Sequence, residues 1–245
     1  MRFSTLISAS TLAATPALAE DITYQVGGDT FTGYWAAAEN PRGLVLIAHD
    51  WDGMTDYERR RADMLAKMGY DAFALDMFGN DTPTETVDHR RAATGSLYQD
   101  RARMRTLIRA GLEQARARSE APGLVVMGYC FGGAVTLEMA RSDMANEARG
   151  FASFHGGLST PEGQSWDGNE PPILVLHGGA DTSITMDDVA ALSDELEAAG
   201  TAYTIEVYSG APHAFTVFGS NRYQERADTQ SWAAFSTFLA DRLDD

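Results

Sequence analysis

Leu124-Val-Val-Met-Gly128-Tyr-Cys130-Phe-Gly132-Gly133-Ala-Val135 reads as a buried strand, a sharp turn and the start of a helix. The apolar run before Gly128 suits a strand covered on both faces, as in a parallel sheet. Glycines two residues before and two after Cys130 leave room for a tight strand-to-helix turn that lifts one side chain above the sheet. The pattern is that of a nucleophile elbow with cysteine in the place more often held by serine. Free N–H groups and the positive dipole end of the helix lie beneath the sulfur, so the turn is expected to favour the thiolate, the form that attacks.

Working outward, the chain alternates strands with helices. Ile22–Val26 and Phe31–Trp35 flank a Gly-rich turn at 27–30 and predict an antiparallel hairpin. Leu44–Ala48, Tyr70–Leu75, Leu124–Met127, Gly150–Phe154, Ile173–Leu176 and Tyr203–Tyr208 read as further strands. Thr55 and Glu58 form a capping box before a helix that Gly69 closes. One long helix is expected over about Ser96–Arg116, others from Cys130 to Arg141, from Thr185 to Gly200 and from Asp228 to Leu243. The pattern gives a single α/β domain with a mostly parallel sheet flanked by helices and an N-terminal antiparallel hairpin. Irregular stretches at 79–94, 156–172 and 210–223 follow strands, placing them at the carboxyl edge, where such sheets bind ligands.

Residues 1–19 read differently: a basic start at Arg2, an apolar stretch over 3–14 and a small-x-small site at Ala17-Leu-Ala19. These mark a signal peptide, so the mature domain would span 20–245 and the protein would be secreted, in a bacterium to the periplasm. No stretch approaches the ~20 apolar residues that span a bilayer, so no stable membrane insertion is expected. Among 245 residues the net charge is −16, a poor balance for nucleic acid or anionic lipid. The arginine groups 59–61 and 101–105 read as solvated helix faces. One cysteine in an exported chain forms no intrachain disulfide and is kept either for packing or for reactivity.

A cysteine nucleophile needs a base and an acid to orient it, and elbow folds supply them in the order nucleophile, acid, histidine. Asp181, in His177-Gly-Gly-Ala-Asp181, follows a buried strand. His213, in Gly210-Ala-Pro-His213-Ala-Phe215, follows the last one. The backbone N–H groups of Phe131 and of Trp51, in the loop His49-Asp-Trp-Asp-Gly53, are the expected oxyanion donors. His155 and Phe215, with Trp51, are candidates for the substrate pocket. His177 reads as completing a strand and His89 as a surface residue. Asp50 and Asp52 lack the companions of a metal site, and none is expected.

These segments, with Gly69-Tyr-Asp-Ala-Phe-Ala-Leu-Asp-Met-Phe-Gly79, resemble the dienelactone hydrolase family over essentially the whole mature chain. The resemblance implies a single-domain α/β-hydrolase without cofactor, acting on small esters or lactones through an acyl-cysteine. It implies Cys130, His213 and Asp181 as the triad and Trp51 and Phe131 as oxyanion donors; apart from the resemblance, a monomer or small homo-oligomer is expected. It also implies that Asp50, where family lactonases carry glutamate, modulates the nucleophile. Those enzymes place an arginine where this chain has Val217, and Arg90, Arg91 or Arg222 could replace it. Two other functions stand against the hydrolase: a non-catalytic exported binding protein on this scaffold, and a thiol-based redox or acyl-transfer protein.

Overall fold

A computed structural model describes residues 19–244. The signal-peptide expectation falls on residues 1–18, outside the described part, and on Ala19, which opens the first strand. Strands β1 (Ala19–Val26) and β2 (Asp29–Ala36) form the expected hairpin. Six more follow: β3 (Leu44–Ala48), β4 (Asp71–Leu75), β5 (Leu124–Tyr129), β6 (Gly150–Phe154), β7 (Ile173–Gly178) and β8 (Tyr203–Tyr208). Their order across the sheet is β1-β2-β4-β3-β5-β6-β7-β8. All pairs from β4 to β8 are parallel, and β2 joins β4 antiparallel.

Every residue of β3, β4, β5, β6 and β7 is buried, because helices cover both faces. Helices α3 (Arg101–Arg116), α4 (Phe131–Ala140) and α5 (Met186–Ala199) pack on one face; α1 (Asp56–Lys67) and α6 (Glu225–Leu243) pack on the other. Each fully buried Leu, Val or Phe contributes about 1.5–3 kcal/mol, so the two apolar layers dominate the stability of the fold. The Thr55–Glu58 capping box starts α1, and a second box, Thr185 with Asp188, starts α5.

Two expectations are corrected. The single helix over 96–116 is two helices, α2 (Val87–Gln99) and α3, and α2 occupies part of the stretch 79–94 read as irregular. Asp100 breaks them: its backbone leaves the helical region, and its carboxylate accepts the Arg103 N–H at 2.8 Å as the N-cap of α3. Thr86 caps α2 by accepting the His89 N–H, so His89 lies on a helix rather than in a loop.

The arginine groups are not all solvated. Arg61 is fully buried, ion-paired with Asp228 of α6 and stacked against Tyr57, Phe218 and Trp232. Arg101 and Arg105 are half-buried over the fully buried Glu138 of α4, at 3.2 and 2.7 Å. A buried carboxylate persists only with such partners.

Candidate active site

Cys130 stands between β5 and α4 at the middle of the sheet, with φ +51° and ψ −109°. That is a strained conformation for a residue with a side chain, held because the surroundings leave no alternative. A Cβ on Gly128 would meet the Gly132 carbonyl oxygen at 2.0 Å, and one on Gly132 would meet the Ala48 oxygen at 2.1 Å. The turn therefore requires glycine at both places.

The loops after β7 and β8 bring two more side chains to the sulfur. His213 Nε2 lies 3.1 Å from Cys130 Sγ, and His213 Nδ1 lies 2.7 Å from Asp181 Oδ2. Asp181 Oδ1 accepts the N–H groups of Ser183 and Ile184 at 2.8 and 3.0 Å. Asp181 thus both orders its own turn and faces the imidazole. Burial pushes its pKa up, but the His213 hydrogen bond and these two N–H groups outweigh burial and hold it below the usual carboxylate value.

The loop after β3 closes the other side. His49 is fully buried; its Nδ1 donates to the Asp50 carbonyl (2.6 Å) and its Nε2 accepts the Met77 N–H (3.0 Å), fixing the loop to the end of β4. The backbone N–H groups of Phe131 and Trp51 favour the thiolate, and the Asp50 carboxylate opposes it. The Trp51 N–H also donates to Asp50 Oδ1.

Burial pushes the Cys130 thiol well above its ordinary pKa, and the Asp50 charge pushes the same way. The two N–H groups only partly offset this. Burial and the Asp50 charge therefore oppose the thiolate that the helix start is expected to favour. Asp50 is itself pushed up to about 6, by burial first and the Asp52 charge second. Behind it Glu58, which caps α1, accepts the Asp50 N–H and is pushed up to about 7, mainly by burial. Asp50→Asn removes the charge opposing the thiolate while keeping an acceptor for Trp51. The expected result is a lower midpoint pH for iodoacetamide alkylation of Cys130; an unchanged midpoint would show that the Asp50 charge does not hold the thiol.

A cavity of about 360 Å³ opens over the sulfur, between Trp51, Tyr98, Phe131 and Ile184, with Arg91 and Arg222 also on its wall. A larger hollow of about 600 Å³ lies between α5 and β8, but neither cysteine nor histidine lines it. Among the described residues no group of His, Cys, Asp or Glu could hold a metal ion, and no helix is long and apolar enough to cross a membrane.

A model of the dienelactone hydrolase family matches residues 31–243. The chain belongs to this family. It is 26% identical over 228 residues to a Salmonella typhimurium protein named "Putative carboxymethylenebutenolidase", covering 87% of this chain and 83% of that one. A dienelactone hydrolase-like promiscuous phosphotriesterase from metagenomic libraries superposes with a TM-score of 0.82 at 27% identity, over 92% of this chain and 98% of that one. An esterase of the planctomycete Thermogutta terrifontis shares the fold, with a TM-score of 0.66 at 17% identity over 92% of each chain.

Against the family's pattern, Val217 is only half-buried and does not line the cavity, whereas Arg91 and Arg222 do. Arg90 instead lies over the Trp51 ring, 5.6 Å from its centroid, and donates to the Thr84 carbonyl. Trp51 lines the cavity as expected, but His155 and Phe215 do not. Both are fully buried: the His155 ring packs against His213, and Phe215 packs against His155. Tyr98 and Ile184 are wall residues that the sequence did not reveal. Tyr98 falls within the helix expected over 96–116, but nothing in the sequence turns it toward the site, and Ile184 carries no chemistry that would single it out.

Proposed function

We propose that this protein is a cysteine-dependent hydrolase of small carboxylic esters or lactones, with Cys130 as nucleophile. The observation that carries the reading is the relay Cys130–His213–Asp181, with contacts of 3.1 and 2.7 Å. His213 takes the thiol proton as the sulfur attacks the substrate carbonyl carbon. The carbonyl oxygen becomes an oxyanion and receives the N–H groups of Phe131 and Trp51. Collapse of this adduct breaks the bond to the alcohol oxygen, which His213 protonates, leaving an acyl-cysteine. Water, deprotonated by His213, then attacks the thioester; the acid leaves and the thiol is restored. For a lactone the alcohol and acid are two ends of one product.

Arg91 and Arg222 on the cavity wall support a substrate that carries a carboxylate beyond the scissile bond. Both are exposed, and exposed charges contribute at most about 1 kcal/mol each. The double variant Arg91→Ala/Arg222→Ala is therefore expected to raise KM for an anionic ester about fivefold to tenfold and to leave a neutral ester unchanged. Parallel kinetics on a matched charged and neutral pair would decide it; equal changes on both would contradict the anion site.

The test of the function itself is a panel of small esters and lactones run on wild type and on Cys130→Ala. The likeness to a promiscuous phosphotriesterase adds an organophosphate triester to that panel. Ligand binding without turnover on any member would favour a binding protein. Reversible oxidation of Cys130 without turnover would favour a redox role.

A further inference from the structure

Behind His213 lies a line of buried polar groups that the proposed reaction does not use. His155 follows β6 with φ +39° and is fully buried. Its N–H donates to the Leu176 carbonyl at 2.9 Å, which fixes where the ring enters the core. The ring meets the His213 ring edge-on, with centroids 5.3 Å apart, and Phe215 and Tyr129 enclose it at 5.4 and 5.9 Å. His155 Nε2 lies 2.8 Å from Thr216 Oγ1, which lies 2.6 Å from Tyr57 Oη.

Arg61, which can only donate, anchors the far end of this line. Its Nε donates to Tyr57 Oη at 3.3 Å, and its Nη2 donates to the Thr216 carbonyl at 3.0 Å and pairs with Asp228. Thr216 Oγ1 thus links His155 Nε2 on one side to Tyr57 and the Arg61 cluster on the other. Burial holds the His155 ring neutral, and the charge His213 would carry pushes in the same direction.

We propose that His155, tethered by Thr216, is a positioning residue for the base: its uncharged ring edge fixes the plane in which His213 reaches Asp181 and Cys130 together. This rests on the reading of His213 as the base. An imidazole with one contact on each nitrogen can still tilt about the line joining them, and the neighbouring ring removes that freedom. A displacement of 1 Å at such a site costs about 10²-fold in rate, so loss of the tether is expected to cost about tenfold.

The test compares Thr216→Val, which keeps shape without the hydroxyl, with Thr216→Ser, which keeps the hydroxyl. The expected result is kcat about tenfold lower in the valine variant with KM unchanged, and restored to within about twofold in the serine variant. Wild-type kcat in Thr216→Val, or a serine variant as slow as the valine one, would overturn the proposal. Imidazole ¹⁵N spectra of the wild-type protein and of Thr216→Val supply a second readout. A neutral His155 whose Nε2 signal shifts in Thr216→Val is expected, and an Nε2 signal unmoved by loss of the hydroxyl would overturn the tether. Cys130→Ala separates the two ideas. Turnover that survives it would defeat the hydrolase reading; turnover that is lost, with Thr216→Val as fast as wild type, would defeat only the positioning role.

Discussion

Cys130→Ala is expected to lower kcat/KM on a small activated ester by about 10⁴-fold, with little change in the affinity of the cavity for substrate. The substitution removes the one atom that attacks. It leaves the Phe131 and Trp51 N–H groups where they are, because both are backbone groups and the turn geometry depends on Gly128 and Gly132. Residual rate from oxyanion stabilisation and binding alone is the usual remainder when a nucleophile is deleted. Cys130→Ser is expected to keep a small fraction of activity, since a hydroxyl beside Asp50 is harder to deprotonate than the thiol. Wild-type turnover in the alanine variant would place the chemistry elsewhere in the cavity.

His213→Gln is expected to lower kcat by about 10³-fold at neutral pH, and its pH dependence carries the sign of the mechanism. Burial and the Asp50 charge hold Cys130 as a thiol well above the ordinary range, so without a base the thiolate is scarce at pH 7. Activity of the glutamine variant should therefore climb as pH rises toward the thiol's ionisation, while the wild-type enzyme, whose base removes the proton during attack, gains far less. Profiles of kcat/KM from pH 6 to 10 check this. A glutamine variant as active as wild type, or one insensitive to pH, would show that His213 is not the base.

How much of this the sequence carried depends on the range over which each residue's role is decided. The elbow is local: an apolar run, two glycines and a cysteine within nine residues specify a strand, a turn and a helix. Asp181 and His213 were legible because each follows a strand, and the parallel sheet brings those strand ends to the same edge as the elbow. Arg61 was misread because its partner, Asp228, is 167 residues away, and nothing near Arg61 in the chain announces a buried pair. His155 and Phe215 were assigned to the cavity from their position after strands. The path of the chain beyond each strand turns both rings into the core, and that path leaves no pattern in composition. The break at Asp100 turned on one capping bond to Arg103 within an otherwise continuous helical pattern. The state of the thiol was the hardest to foresee. A helix start favours thiolate by itself, but a carboxylate from the loop after β3 and the burial of the thiol push the other way.

The central claim is that Cys130 forms a covalent acyl intermediate. The direct measurement is intact-protein mass spectrometry after acid quench of a reaction with an activated ester, followed by peptide mapping. A mass gain equal to the acyl group, located on Cys130 in wild type and absent from Cys130→Ala, is the predicted result. Turnover with no acyl group on Cys130, or the same adduct in the alanine variant, would contradict it.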